Sequence, residues 1–420
     1  MTQLFHASRL FGAMTLAAAI DAGAFGPADR RRMLLVTNNA DIPEITVPLD
    51  ETPGFAALRD RFDEIRSWNE IIAPLHPSEW KPRAVEGPMI GRLLQSHLGL
   101  GELDEMVLES VIVPPARVLP GLFKDCPLTI YSDGLMAHAP TRDVLPGEIS
   151  DRITRLIHLD LVPGLTPLLL SEYGVPAEAL PAEAFPRVVG QVAARFGDQP
   201  GDAVILGQYL ASLGILTDEE ETRLYGDMLR ALVARGNRRV VFKAHPAAGP
   251  RQLRALRRTA AGLDVELVSA GDGVPAEVLF ARLRPALVVS CFSTALVTAR
   301  RFFGLPVATM GTELLLERLA PYENSNRIPV TIVDACLPRL AMDGSLSDPP
   351  PVDLAALTGA VAYCMQSEAH PELRETAAEY VKVNGPARYF KKRRLTALGL
   401  IEEPAPQQRP DSRLRRLLSR

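Results

Sequence analysis

Two short runs constrain what this chain can become. Arg239-Val-Val-Phe-Lys-Ala-His-Pro246 and Pro285-Ala-Leu-Val-Val-Ser-Cys-Phe-Ser-Thr-Ala-Leu296 each pass from continuous apolar residues into small or polar ones. A strand apolar on successive residues is buried on both faces, as in a parallel sheet, and open α/β sheets bind ligands at the carboxyl ends of their strands. The first run therefore carries Lys243 and His245 to a crevice, on the same face by strand alternation. The second carries Ser293 and Thr294 to the start of a helix predicted over 295–303, where a hydroxyl caps and free N–H groups remain. A cation, a histidine and a capped helix start together suit a phosphate.

The rest of the chain repeats this strand-then-helix pattern. Strands are expected over 4–7, 31–38, 109–113, 127–131 and 155–162, with helices after the first strand and over 60–72 and 91–98. Residues 171–201, with Pro176, Pro181, Pro186 and Pro200, read as a linker that holds one helix over 185–196. A second series follows, with strands over 203–206, 239–245, 265–268 and 305–309 and, before the last of these, the strand that leads to Ser293. Within it, Thr217 and Glu220 form a capping box for a helix over 218–235, which Gly236 ends. At 420 residues two domains are expected, 1–198 and 199–385, each a Rossmann-like α/β unit, followed by a basic tail over 386–420.

The overall charge of −4 gives no electrostatic case for nucleic acid. The four cysteines lie far apart and form no Cys-x-x-Cys pair, which fits a reducing cytoplasm. The apolar N-terminus lacks the basic leader of a signal peptide, and a short strand feeding a buried helix is the better reading. No run is long enough to span a membrane. The tail ends Arg413-Leu-Arg-Arg-Leu-Leu-Ser-Arg420, and two readings stand side by side: a contact with the anionic inner face of a membrane, or a solvated end.

His-Pro pairs also occur at 76–77 and 370–371, but only His245 ends a strand with a lysine two residues before it. The sequence Ser132-Asp133-Gly134 follows the predicted strand over 127–131, and by itself reads as a turn. In order, strand–Asp-Gly, strand–Lys-x-His-Pro and strand–Ser-Thr–helix resemble the bacterial sialyltransferases of the α-2,8-polysialyltransferase-like family. These carry a D/E-D/E-G motif, an HP motif and an S-S/T motif on a GT-B fold, two Rossmann-like domains facing across a cleft. The resemblance runs from the first strand to about residue 335. It implies that Asp133 is the general base, that His245 of the His245-Pro246 pair neutralises or protonates the departing phosphate of CMP, and that Ser293 and Thr294 bind that phosphate. It further implies Glu277 on the cytidine ribose and Lys243 beside the phosphate. Ser132 departs from the pattern, which has an acid there.

The implied activity is an inverting, metal-independent transfer of sialic acid, or a related nonulosonic acid, from a CMP-sugar to a glycan or glycolipid hydroxyl. No cofactor is expected beyond that donor. The residue chemistry is consistent: an attacking hydroxyl needs a carboxylate on one side, and a departing phosphate needs donors and cations on the other. Alternatives are a transferase using CMP-Kdo or a nucleotide-diphosphate sugar, and a non-catalytic scaffold that binds nucleotide or glycan.

Overall fold

The computed structural model describes residues 2–197, 201–245, 248, 251–271 and 273–402. Two seven-stranded sheets follow one another along the chain. The first comprises β1 (Thr2–Ala7), β2 (Arg31–Val36), β3 (Glu64–Ser67), β4 (Leu103–Leu108), β5 (Leu128–Ser132), β6 (Ile153–Leu159) and β7 (Ala177–Leu180), in the order 3-2-1-4-5-6-7. All its pairings are parallel. The second comprises β8 (Ala203–Leu206), β9 (Arg239–Lys243), β10 (Glu266–Ser269), β11 (Leu287–Ser290), β12 (Val307–Thr309), β13 (Arg339–Leu340) and β14 (Leu346–Ser347), in the order 10-9-8-11-12-13-14. It is parallel except for the closing β13–β14 hairpin. The chain reverses direction of travel across each sheet beside its first strand, between β1 and β4 and between β8 and β11, which opens a crevice at the strand ends. The α/β fold of two facing Rossmann-like domains, the GT-B form, is present.

Three segments differ from expectation. Residues 60–72 are not one helix: β3 occupies Glu64–Ser67, and only Trp68–Ile72 is helical, capped by the Ser67 hydroxyl. Phe62, Ile65 and Trp68 share helical spacing, but the ladder to β2 wins, reinforced by the Asp63 carboxylate accepting from Arg32 N at 2.7 Å. The fourth strand lies at Leu103–Leu108 rather than 109–113. Its charge disguises it: Glu105 is half-buried but answered by Thr129, by Gln3 at 3.1 Å and by Arg155 at 3.1 Å. The proline-rich 171–201 stretch is not a bare linker, since it supplies β7 and the Ala184–Ala193 helix.

That helix joins the two halves. It buries Phe185, Val188, Val189 and Val192, the spacing of one helix face, and lies between the Leu10–Asp21 helix of the first domain and the Ala276–Leu283 helix of the second. The Phe185 ring stands 5.1 Å from that of Phe11 and 5.6 Å from that of Phe302, so one aromatic stack spans both domains. Polar ties surround the stack. Arg301 holds Asp160 at 2.8 Å, Arg142 donates to Ser325 at 2.7 Å, and Gln366 donates to the Thr141 carbonyl at 2.7 Å.

Half of the basic run over 390–394 is engaged, while Lys392 and Arg393 are exposed. Lys391 donates to the Glu317 carbonyl and Arg394 to the Cys364 carbonyl, while Arg388 and Tyr389 bind the buried Asp334. The residues read as a basic amphipathic tail, 413–420, lie outside the described residues. Among the described residues no helix is long and apolar enough to cross a membrane.

Phe185→Ala should cost about 3–5 kcal/mol, the usual loss for a fully buried phenylalanine. It should lower both domains in a single urea transition. A loss below about 1 kcal/mol would show that the stack is not what couples the halves.

Candidate active site

The side chains that meet in the cleft all follow the carboxyl ends of strands: Ser8 and Arg9 after β1, Glu109 after β4, Asp133 after β5, Tyr209 after β8, His245 after β9 and Ser293 after β11. On the first-domain wall, Ser8 donates through its amide and hydroxyl to Glu109 Oε2, at 3.2 and 2.9 Å. This fixes the turn that carries Arg9. Tyr131 Oη donates to the His6 carbonyl at 3.0 Å, behind Asp133. Gly12 makes room: a Cβ there would lie 2.9 Å from Tyr131 Oη and 3.7 Å from Asp133 Oδ2.

The Asp133 side chain keeps 19 % of its surface open, and Arg9 Nη2 stands 3.9 Å from its Oδ2. Burial raises the Asp133 carboxyl above the ordinary aspartate range; the Arg9 charge opposes that and the Glu109 charge adds to it. A carboxylate made more basic in this way is a better proton acceptor.

Next to Asp133 the domains touch. The amide of Leu135 donates to Thr294 Oγ1 at 3.3 Å. Gly134 is extended, with φ −137 and ψ 177, so no special backbone angle calls for glycine. Its place is explained by proximity, because a Cβ would stand 3.3 Å from Thr294 Oγ1. The turn reading of Asp133-Gly134 gives way to a close approach between domains.

On the second-domain wall, Ser293 caps the Thr294–Phe303 helix, its hydroxyl accepting from Ala295 N at 3.3 Å. The half-buried Ser293 and Thr294 are thus at a helix start, as expected. The β9 strand stops at Lys243, so His245 lies two residues beyond it and strand alternation does not set its direction. Its imidazole lies against the Tyr209 ring, the centroids 4.2 Å apart at an interplanar angle of 35°. Lys243 Nζ donates to the Ala244 carbonyl at 2.9 Å. Burial, and then the charges of Arg9 and Lys243, lower the His245 pKa to about 4. Pro246 lies outside the described residues.

Glu277 opens the Ala276–Leu283 helix and is buried, with Oε1 accepting from Thr298 Oγ1 at 2.7 Å. Burial pushes its pKa up to about 7; the Thr298 hydroxyl and Lys243 oppose the rise and Asp133 adds to it. Among the described residues no group of three or more His, Cys, Asp or Glu side chains gathers to hold a metal ion.

Sequence reasoning missed Arg9, Glu109 and Tyr209. The signal for Arg9 was present, since it follows the first strand as His245 follows β9. Glu109 was hidden because the strand before it was placed too late. Gln208, beside Tyr209, accepts from Phe292 N at 3.1 Å and so links the β8 and β11 turns.

The family model of alpha-2,8-polysialyltransferase matches residues 3–312. Similar solved structures include a sialyltransferase from Photobacterium damsela, 13 % identical over 79 % of this chain and 78 % of that one, with a TM-score of 0.39. Another is MurG from Acinetobacter baumannii, 10 % identical over 90 % of this chain and 94 % of that one, also with a TM-score of 0.39. No curated protein sequence matches. With three quarters of its length under one family model, the chain belongs to the α-2,8-polysialyltransferase family, a family of glycosyltransferases that join a nucleotide-sugar donor to a glycan acceptor.

Proposed function

We propose that the chain transfers sialic acid, or a related nonulosonic acid, from a CMP-linked donor to a glycan hydroxyl, with inversion and without a metal. The observation that carries this reading is the Leu135–Thr294 contact. It brings the turn that carries Asp133 in one domain against the start of the Thr294–Phe303 helix in the other, so that a carboxylate and a phosphate-binding helix end share one cleft.

In this reading Asp133 takes the proton of the acceptor hydroxyl as that oxygen attacks the anomeric carbon. The bond to the phosphate oxygen breaks on the opposite face, which inverts the configuration. Ser293, Thr294 and the N–H groups of the helix start receive the phosphate, where the helix dipole favours negative charge. His245 is neutral at working pH without ligand, since its pKa is about 4. It then offers an N–H to the phosphate, and the growing phosphate charge favours the imidazolium form. Lys243 lends its charge to the same side. A leaving group bearing one phosphate is served by these donors without a divalent ion. Glu277, whose carboxyl feels the charges of Lys243 and Asp133, would receive a ribose hydroxyl. The nearest ties to a membrane would be through residues 413–420, which also remain a proposal.

Asp133→Ala and His245→Ala should each lower transfer by about 100-fold or more while the unfolding midpoint holds, as loss of an acid or base does. Near-normal transfer by the Asp133 variant would remove it as the base. In a thermal-shift panel CMP should stabilise the protein; stabilisation by UDP but not CMP would reassign the donor.

Glu277 also makes a pH prediction. Its folded pKa of about 7 lies above the unfolded value of about 4.5, so its contribution is fully present below the latter and is lost as pH rises through the former. Glu277→Gln should therefore raise the unfolding free energy at pH 8 by on the order of 2 kcal/mol, and change it little near pH 4.5. A variant no more stable than wild type at pH 8 would contradict the burial of a strained carboxylate.

A further inference from the structure

The donor reading leaves one group in the cleft without a task. Arg9 stands on the turn between β1 and the Leu10–Asp21 helix, in an extended conformation at φ −144 and ψ 152. Its turn is held by the two hydrogen bonds from Ser8 to Glu109, so the backbone beneath it is fixed. The side chain is not: 61 % of its surface is open, and among the described residues its guanidinium meets only Asp133, at 3.9 Å, beyond hydrogen-bond range. Five N–H donors are thus presented to the cleft with little to receive them.

The position of those donors is specific. Asp133 lies on one side, and Gly134 and Leu135, next in the chain, touch Thr294 at the phosphate end. The Arg9 charge also reaches His245, where it helps depress the imidazole pKa. The three remaining substituents of an anomeric carbon between Asp133 and the phosphate pocket spread around the line of attack, and one of them can face the wall that carries Arg9, beside Asp133. An aldose has hydrogen there. A 2-keto acid sugar has a carboxylate, the partner whose planar shape a guanidinium matches with two parallel hydrogen bonds.

We propose that Arg9 binds the carboxylate on the anomeric carbon of the donor sugar, and that it thereby selects ulosonic acid donors over aldose donors. This rests on the CMP-nonulosonate reading above. The contact also serves the chemistry, because it neutralises a negative charge beside the carbon that the acceptor oxygen attacks. Arg9 also opposes the rise that burial gives the Asp133 carboxyl.

The test uses the full chain and three probes: CMP, non-transferable CMP-3-fluoro-sialic acid, and the methyl ester of that analogue. Wild type should bind the acid about tenfold tighter than the ester, the scale of one charge-assisted pair. Arg9→Ala should bind acid and ester alike, with its affinity for CMP held within about twofold, which doubles as the check on folding. Arg9→Lys should keep part of the preference, as it retains charge without the fork. An Arg9→Ala variant that still prefers the acid as wild type does would overturn the inference while leaving the donor reading intact. A wild type that binds neither CMP nor the fluoro analogue would overturn both.

Discussion

The hydrogen bond from the Leu135 amide to the Thr294 hydroxyl is the constraint on which the site depends. It crosses from one domain to the other, from the turn that carries Asp133 to the first residue of the Ser293-capped helix. Modest in itself, such a bond is worth about 1 kcal/mol. It persists because the domains are held around it, by the Phe11–Phe185–Phe302 stack on one side and by Arg301–Asp160, Arg142–Ser325 and Gln366–Thr141 elsewhere. Gly134 is the local condition for the approach, since any side chain would crowd Thr294.

Charge is ordered along the same line. Glu109, Arg9, Asp133 and the His245–Lys243 pair alternate in sign or capacity from the back of the first domain to the phosphate side of the second. Each perturbs its neighbour: Arg9 pulls the Asp133 carboxyl down as burial raises it, and the same guanidinium adds to the burial that lowers the His245 pKa. Where the family pattern places a first acid, this chain has Ser132. The second carboxylate of the cleft comes from Glu109 on the adjacent strand, already committed to Ser8. The departure at Ser132 therefore removes a charge from the motif without leaving the cleft short of one.

Much of this was legible in the sequence because parallel strands announce themselves. The runs ending at Lys243 and at Ser290 are apolar on both faces, and the capping box at Thr217 and Glu220 forms as written. The illegible parts failed for physical reasons. Charged residues inside β4 hid a strand because the partners that answer Glu105 come from three other strands. At β3, local spacing suggested a helix while pairing to β2 decided otherwise. Prolines at 176 and 181 flank an edge strand that a linker reading overlooks. The role of Gly134 exists only between domains, against Thr294, and short-range pattern holds no trace of a contact at such separation.

A crystal structure with CMP-3-fluoro-sialic acid tests the central claim most directly, since the claim concerns which wall holds which end of the donor. The account places the phosphate against Ser293, Thr294 and His245, with the anomeric carbon facing Asp133 within a few ångströms of a vacant acceptor position. Density for the nucleotide away from the start of the Thr294–Phe303 helix, or an anomeric carbon turned from Asp133, would contradict it.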